Sequence, residues 1–528
     1  MTFKRFSSIF FGFLFVASAC EAFAASPVIE SEHSRNLRTL ETAPMLFEYH
    51  RQTVGAERQY FTYPRRDTTF RKNFTKTEGD ALLYFDNVRG AGILGKGLEY
   101  KCEQGDSACV AKAREQEALI PRVAIAASIV GGIDYRGGET LGDTIWPGID
   151  GGLYLRGFAD SVDFVLDARI YSEGHSAKNP KSFDREFLEV QREGDNSGVE
   201  YTSYSRYRTH FAFNHDWLRL DFGRDVMHWG PGYYNNLTLN QFAIPYNMLS
   251  LDLLIGPFRV MSFYADLRIF NSMNPSNKDH SRNLFGHRYE LAVGNATFGI
   301  SELTVLYDDM KPWLFVPTAP LFMEKGNFSE PSNNGSISFD FNYRLFNAVR
   351  LYTEFFLDDM ESPISLIRND NIEAKWAWMA GFQAGRDFYY KGHKIEAGTI
   401  FEYARVEPYV YTHFKKITAQ LAHLGYPLGN QGGPNSRTID WNVFARLDGH
   451  IFASVRQTWF WKGTDYGSAM NDTTPDNHLR TSKKFLAGSK LQYSLTPAIS
   501  YEGQRFSFLG ELTLIDDRKA YIRAGFKF

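Results

Sequence analysis

The chain has 528 residues, 58 basic and 61 acidic side chains, a formal charge of −3 and an aromatic content of 16%. That near-neutral balance gives no reason to expect nucleic acid as a partner. A mean hydropathy of −0.35, with no long apolar stretch after the first two dozen residues, excludes a bundle of membrane-spanning helices, each of which needs about 20 apolar residues. Many aromatics in a chain that is polar on average suit a β-barrel, where apolar residues occupy alternate positions and rings gather at both membrane interfaces.

In chain order, Lys4 and Arg5 precede the apolar run Ile9–Ala19, and Ala22-Phe23-Ala24 follows. This pattern predicts a secretory signal peptide over 1–24, cleaved before Ala25. Cys20 offers a rival reading, a lipoprotein cleaved before that residue. Residues 25–118 are charged and lack sustained alternation. Ser31 to Thr42 and Ser107 to Leu119 read as helical, so the segment is expected to be a small, partly helical plug or a periplasmic leader. Cys102 and Cys109 are the cysteines left after cleavage. In an oxidising exported setting they favour a small-loop disulfide. Zinc would need further ligands, and no His or further Cys lies nearby; no metal or cofactor is expected.

Residues 119–528 carry a two-residue alternation, the period of a strand with one apolar and one wet face. Val162, Phe164, Leu166, Ala168 and Ile170 alternate with Asp163, Asp167 and Arg169. Ile337, Phe339, Phe341 and Tyr343 alternate with Ser338, Asp340 and Asn342, and after a tight turn Val349, Leu351, Phe355 and Leu357 do the same. Asp448-Gly449 is a favoured hairpin turn. The strands predicted include 121–134, 258–268, 288–296, 336–345, 348–358, 376–388, 393–405, 485–494 and 519–528. The total is about 18, within 16–18, and even, as for a single-chain bacterial barrel. Short links alternate with long ones, so short turns are expected at the periplasmic side and long loops outside. A soluble sandwich or propeller would need evenly spaced turns and a repeat, and neither is visible.

At the end of the chain, Ala520, Ile522, Ala524, Phe526 and Phe528 fall on one strand face. An exposed aromatic strand is a liability in a soluble protein but not in a closed barrel flanked by lipid. The pattern resembles the C-terminal assembly signal of Gram-negative outer-membrane proteins. That resemblance implies recognition of Phe528 by the barrel assembly machinery and a location in the outer membrane, among its lipid and lipopolysaccharide.

With this alternation, the lumen is expected to carry Asp163, Asp167, Arg169, Arg206, Arg208, His210, Arg219, Asp221, Asp340, Arg344, Arg350, Glu354, Glu396, Glu402, Arg446, Arg456, Glu511 and Arg523. Most are expected to be wall residues without individual roles. The most unusual segment outside the strands is Gly223–Pro245. Gly230-Pro231-Gly232 permits a turn that other residues resist. Trp229, Tyr233 and Tyr234 flank it, with Arg224, His228, Asn235, Asn236 and Asn240 nearby. Flat rings beside amides and charges suit sugar recognition, since pyranose C–H faces pack on rings while hydroxyls need donors and acceptors. The same rings could equally form the core of a plug.

Gly-Arg-x4-Trp-Gly-Pro-Gly-x4-Leu-x-Leu-x4-Ile-Pro, over Gly223–Pro245, resembles the central signature of the Wzi-type capsule assembly proteins. Leu424–Ser436, rich in Gly and Pro, and Tyr403 through His413 are similar to the late loop of that family. The resemblance implies an eighteen-stranded barrel plugged by an N-terminal helical unit and inward-folded loops. It also implies a lectin-like role in holding exported capsular or extracellular polysaccharide, with no reaction. The expected glycan-binding residues are Arg224, His228, Trp229, Tyr233, Asn235, Asn236, Asn430 and Asn435. The alternatives are an oligosaccharide or nutrient porin and, last, an outer-membrane hydrolase, for which no Gly-x-Ser-x-Gly or His-Glu-x-x-His motif is present.

Overall fold

The computed structural model describes residues 81–86, 90–93 and most of 123–527. The connections 139–145, 175–200, 270–281, 360–373, 414–418 and 473–483, most of 318–333, the shortest turns and Phe528 lie outside the described residues. So do the expected signal peptide, the two expected helices, Cys20, Cys102 and Cys109.

Two short strands, β1 (Ala81–Asp86) and β2 (Gly90–Ile93), form a hairpin. The wall follows: β3 (Val123–Gly138), β4 (Trp146–Ala159), β5 (Val162–Gly174), β6 (Tyr201–His215), β7 (Leu218–Asp225), β8 (Tyr246–Ile255), β9 (Phe258–Leu267), β10 (Arg282–Val293), β11 (Ala296–Tyr307), β12 (Asn334–Leu345), β13 (Val349–Asp359), β14 (Lys375–Tyr390) and β15 (His393–Val406). Two two-residue strands, β16 (Ala422–His423) and β17 (Tyr426–Pro427), pair only with each other. The wall then resumes with β18 (Ser436–Leu447), β19 (Ile451–Lys462), β20 (Leu491–Glu502), β21 (Phe506–Ile515) and β22 (Lys519–Lys527). Each wall strand pairs antiparallel with the next, and β22 pairs with β3, from Lys519↔Gly138 to Lys527↔Val130. The result is the expected closed antiparallel barrel of 18 strands. Below Val130 the edge of β3 is taken by β1, with Ala81↔Ala127 and Phe85↔Val123.

The alternation read in the sequence is the inside–outside pattern of the wall. On β12, Phe339 and Tyr343 are exposed on the outer face, while Ser336, Ser338, Asp340 and Asn342 are buried inside. A barrel leaves no free edge and satisfies its backbone within the wall, as a lipid-facing structure requires. At the end of the barrel away from the long connections, Asp448 (φ 50°), Lys391 (φ 51°) and Gly392 (φ 85°) take the left-handed conformations that tight hairpins need.

One expected strand is displaced. Residues 485–494 were predicted extended, but β20 begins at Leu491, and 484–490 is a turn with Leu486 and Gly488 at positive φ. Pro497 hid the true strand. It lacks an N–H, and the ladder to β21 is interrupted between Leu495↔Leu514 and Ala498↔Glu511.

Inside, the expected lumen residues Asp167, Arg208, Arg219, Asp221, Asp340, Arg350, Glu354 and Glu402 are buried. Side chains of Asp163, Arg206, His210, Arg344, Glu396, Arg446 and Arg523 are outside the description. Several wall arginines are tied to carboxylates: Arg169 to Asp167 (2.7 Å) and Asp150 (3.1 Å), Arg208 to Asp225 (2.7 Å), Arg219 to Asp221 (2.6 Å), Arg288 to Glu290 (2.7 Å) and Asp340 (2.6 Å), and Arg456 to Asp440 (2.7 Å). Pairing offsets the desolvation of each charge.

Candidate functional site

Between Asp225 and Tyr246 the chain leaves β7, turns into the barrel and returns to β8. Nearly every residue on this path is buried. Trp229 and Leu239 exchange backbone hydrogen bonds (3.1 and 3.3 Å) and close the loop on itself. Gly230 stands at φ 119°, and a Cβ there would lie 2.8 Å from Glu354 Oε2. Only glycine meets both demands. The Asn236 carbonyl accepts the Gly232 N–H (2.5 Å), and its amide lies against the His228 imidazole (3.1 Å).

Wall carboxylates hold this loop by its backbone. Glu402 on β15 accepts the N–H groups of Tyr233, Tyr234 (2.9 Å) and Asn235 (2.8 Å), together with the Tyr352 hydroxyl (2.7 Å). Glu354 on β13 accepts the N–H groups of Leu237 (2.8 Å) and Thr238 (2.9 Å) and the Thr238 hydroxyl (2.5 Å). Asp440 on β18 accepts the Asn235 amide (2.7 Å), and Arg350 donates to the Pro231 carbonyl. Successive backbone N–H groups aimed at one anion form a strong, charge-assisted clasp. The clasping strands are remote from β7 and β8 around the ring, so the loop crosses the lumen.

The connection after β15 locks onto the first, and the connection after β19 locks onto that second one. The Tyr411 hydroxyl donates to Leu237 O (2.7 Å) and accepts the Asn430 N–H (3.0 Å). Asn240 N–H meets Leu428 O (2.8 Å), and the Asn430 amide meets Asn235 Oδ1 (3.2 Å). Burial pushes the Tyr411 hydroxyl well above the usual phenol range, so it stays a donor. Gly429 lies so close to Leu237 O that a Cβ would overlap it. Asn435 then joins the second connection to the third: its amide donates to Ser468 (2.8 Å) and its carbonyl accepts the Leu486 N–H (2.8 Å).

Of the residues expected to bind glycan, His228, Trp229, Tyr233, Asn235, Asn236 and Asn430 do come together, and Asn435 clamps the neighbouring connection. All are buried, and Trp229 and Tyr233 are 0% exposed. Their rings pack inward, Trp229 edge-on to Phe263 (4.9 Å) and Tyr233 edge-on to Tyr234 (4.6 Å). Their surroundings are those of a packed interior. Arg224 stands apart. It points to the outer face of β7, over the Tyr207 ring (5.2 Å). Sequence reasoning gave Glu354 and Glu402 no individual role and missed Asp440. The loop partners of Glu354 and Glu402 are mainly backbone N–H groups, which leave no mark in a sequence, and that of Asp440 is the Asn235 amide, 205 residues away. It also passed over Tyr466, whose ring is 79% exposed in the third connection, next to an Asp465–Lys484 ion pair (3.8 Å).

His423 gives the second connection a pH dependence. Its Nδ1 accepts the Arg268 N–H (3.0 Å), and its ring also bonds to the backbone of Pro245. Burial first, then the charges of Arg282, Arg224 and Arg268, push the imidazole well below its ordinary value of 6.5. The folded connection therefore holds His423 neutral, whereas a released one takes up a proton. Docking is fully stable above 6.5 and weakens as the pH falls below it. Protection factors at 419–428, which remove the intrinsic pH dependence of amide exchange, are expected to fall from pH 7.5 to about 5 in the wild type, and to lose that dependence in His423→Asn.

An apolar-walled, closed antiparallel barrel with its own connections folded into one mouth is an outer-membrane β-barrel protein. No family model matches the chain, and no curated protein matches it. Among solved structures it is similar to Wzi of Escherichia coli, an outer-membrane carbohydrate-binding β-barrel involved in group 1 capsule assembly, at 14% identity over 88% of this chain and 98% of that one, with a TM-score of 0.48. It is also similar to OccAB3 of Acinetobacter baumannii (10% identity, 77% and 99% covered, TM-score 0.38) and to the outer-membrane protein OpdK of Pseudomonas aeruginosa (8% identity, 76% and 98% covered, TM-score 0.40).

Proposed function

We propose that this barrel is a lectin-like member of the Wzi-type capsule assembly proteins, one that holds exported capsular or extracellular polysaccharide at the cell surface without transforming it. The observation that carries this reading is the interlocking of three connections at one mouth, the first of them fastened to Glu354, Glu402 and Asp440; we read that mouth as the outer one. A tether needs a fixed outer platform. A permeation filter instead needs a water-filled path lined by available charge, whereas here Arg169, Arg208, Arg219, Arg288 and Arg456 are paired with carboxylates and Arg350 is bonded to the loop itself. Tyr466, rather than Trp229, offers a ring to a polymer, with Asp465 and Lys484 beside it for hydroxyls. A repeating polysaccharide presents many equivalent epitopes, so modest affinity at each site retains the chain. The same reading surrounds the wall with outer-membrane lipid and lipopolysaccharide and assigns Phe528 to the barrel assembly machinery.

The test is a capsule pull-down with detergent-purified protein. Wild type is expected to retain polysaccharide, and Tyr466→Ala to retain roughly threefold to tenfold less, the scale of one ring contact. A large steady single-channel current without retention would favour the second reading, an oligosaccharide or nutrient porin.

A further inference from the structure

One row of the wall breaks the rule that outward residues are apolar. Ser262 on β9, His287 on β10 and Glu302 on β11 are cross-strand partners at one ladder level. They point outward, because their neighbours Met261, Phe263, Arg288 and Ser301 face the lumen, where Arg288 pairs with Asp340 and bonds Ser301. The same level continues through Ile337, Leu357 and Trp376 on β12–β14, all apolar. Immediately below it, the outward residues are Val260, Tyr289 and Ile300. A carboxylate, an imidazole and a hydroxyl turned toward lipid at this level are costly unless covered.

They are covered by the chain after β11. A 3-10 turn, Pro312–Phe315, with its flanks and Leu321, folds back along the outside of the barrel. Ser262 donates to Phe315 O, the His287 Nε2–H to Leu314 O (2.9 Å), and the Leu321 N–H to Glu302 (2.7 Å). Leu314 and Leu321 pack on the outward side chains Phe285 and Leu306, with Tyr264 and Phe315 against them. Ser, His and Glu in one row are also the residue types of a hydrolytic triad. Here the hydroxyl and the imidazole N–H are spent on two consecutive carbonyls of the covering segment, which assigns the row to docking.

We propose that residues 310–317 and Leu321 form a strap held against the outer wall at membrane depth, and that its outward edge is a contact surface for outer-leaflet lipid. Met310, Trp313 and Val316 on that edge are each about half exposed. Continuity identifies the occupant: the edge runs directly into the lipid-facing residues Val260, Phe298 and Ile300 below and Ile337 and Leu357 beside it. A Trp at such a boundary suits the amphipathic interface.

The test uses the full protein in liposomes of phosphatidylcholine brominated along the acyl chains. The emission of Trp313 is taken as the difference between wild type and Trp313→Phe. Most of it is expected to be lost in brominated vesicles and little of it to aqueous iodide. Val316→Trp on the Trp313→Phe background places a second probe on the same edge and is expected to behave alike. Retention of heat-modifiable mobility on gels certifies each barrel. Quenching by iodide but not by brominated chains, at both positions, would overturn the proposal and place the strap in water.

Discussion

Glu402→Ala is expected to turn an electrically silent barrel into a conducting one. The substitution strips the partner from the N–H groups of Tyr233, Tyr234 and Asn235 and from the Tyr352 hydroxyl. Each buried donor left unpaired costs about 1–3 kcal/mol, so the docked loop loses on the order of 4 kcal/mol or more. Outside the lumen, water would satisfy those donors, and release becomes the favourable state. Planar-bilayer recordings are expected to show near-silence for wild type and large, fluctuating currents for Glu402→Ala. Glu402→Gln, which keeps one acceptor oxygen, should fall between them. Wild type and Glu402→Ala conducting equally would mean that the loop does not obstruct the lumen. The barrel should persist in every variant, because Glu402 makes no bond that holds β15 to its neighbours beyond the backbone ladder.

Trp229→Ala is the second large effect, and it acts by packing rather than by charge. Trp229 is fully enclosed by Phe263, by Gly286 and by other apolar residues of the loop and wall, including Leu239 and Leu284. Truncating an enclosed Trp costs about 3–5 kcal/mol through lost transfer energy and the cavity left behind. The expected result is a loop over 226–245 that proteases cut in the folded barrel, together with weakened polysaccharide retention. Retention falls because the platform loosens, so Trp229→Phe, which refills part of the volume, should recover both properties together. A variant that keeps a protease-resistant loop yet loses polysaccharide would instead give the ring a direct glycan contact.

The wall was legible because a barrel turns a hidden geometric property, inside against outside, into a period of two along the chain. Phe339 and Asp340 could be assigned to opposite faces from their spacing alone. Pro497 obscured β20 because a missing donor reads as a break, although the strand accommodates it at an interrupted ladder. The site was legible in composition but not in environment. Rings and amides at 228–236 suit a sugar surface and a core equally, and what separates the two is a pair of carboxylates more than a hundred residues away binding peptide N–H groups that every sequence possesses. The outward row of Ser262, His287 and Glu302 was opaque for a related reason. Polar residues at outward positions dilute the alternation, and the segment that shelters them has no periodicity of its own.

The clasp on the first connection has a consequence for biogenesis. Tyr234 and the carboxylate that receives it are separated by 168 positions. The loop can latch only when β13, β15 and β18 stand across the lumen from β7 and β8. Its docking is therefore coupled to the presence of both arcs of the cylinder, whichever is laid down first, and an incomplete wall leaves it solvated.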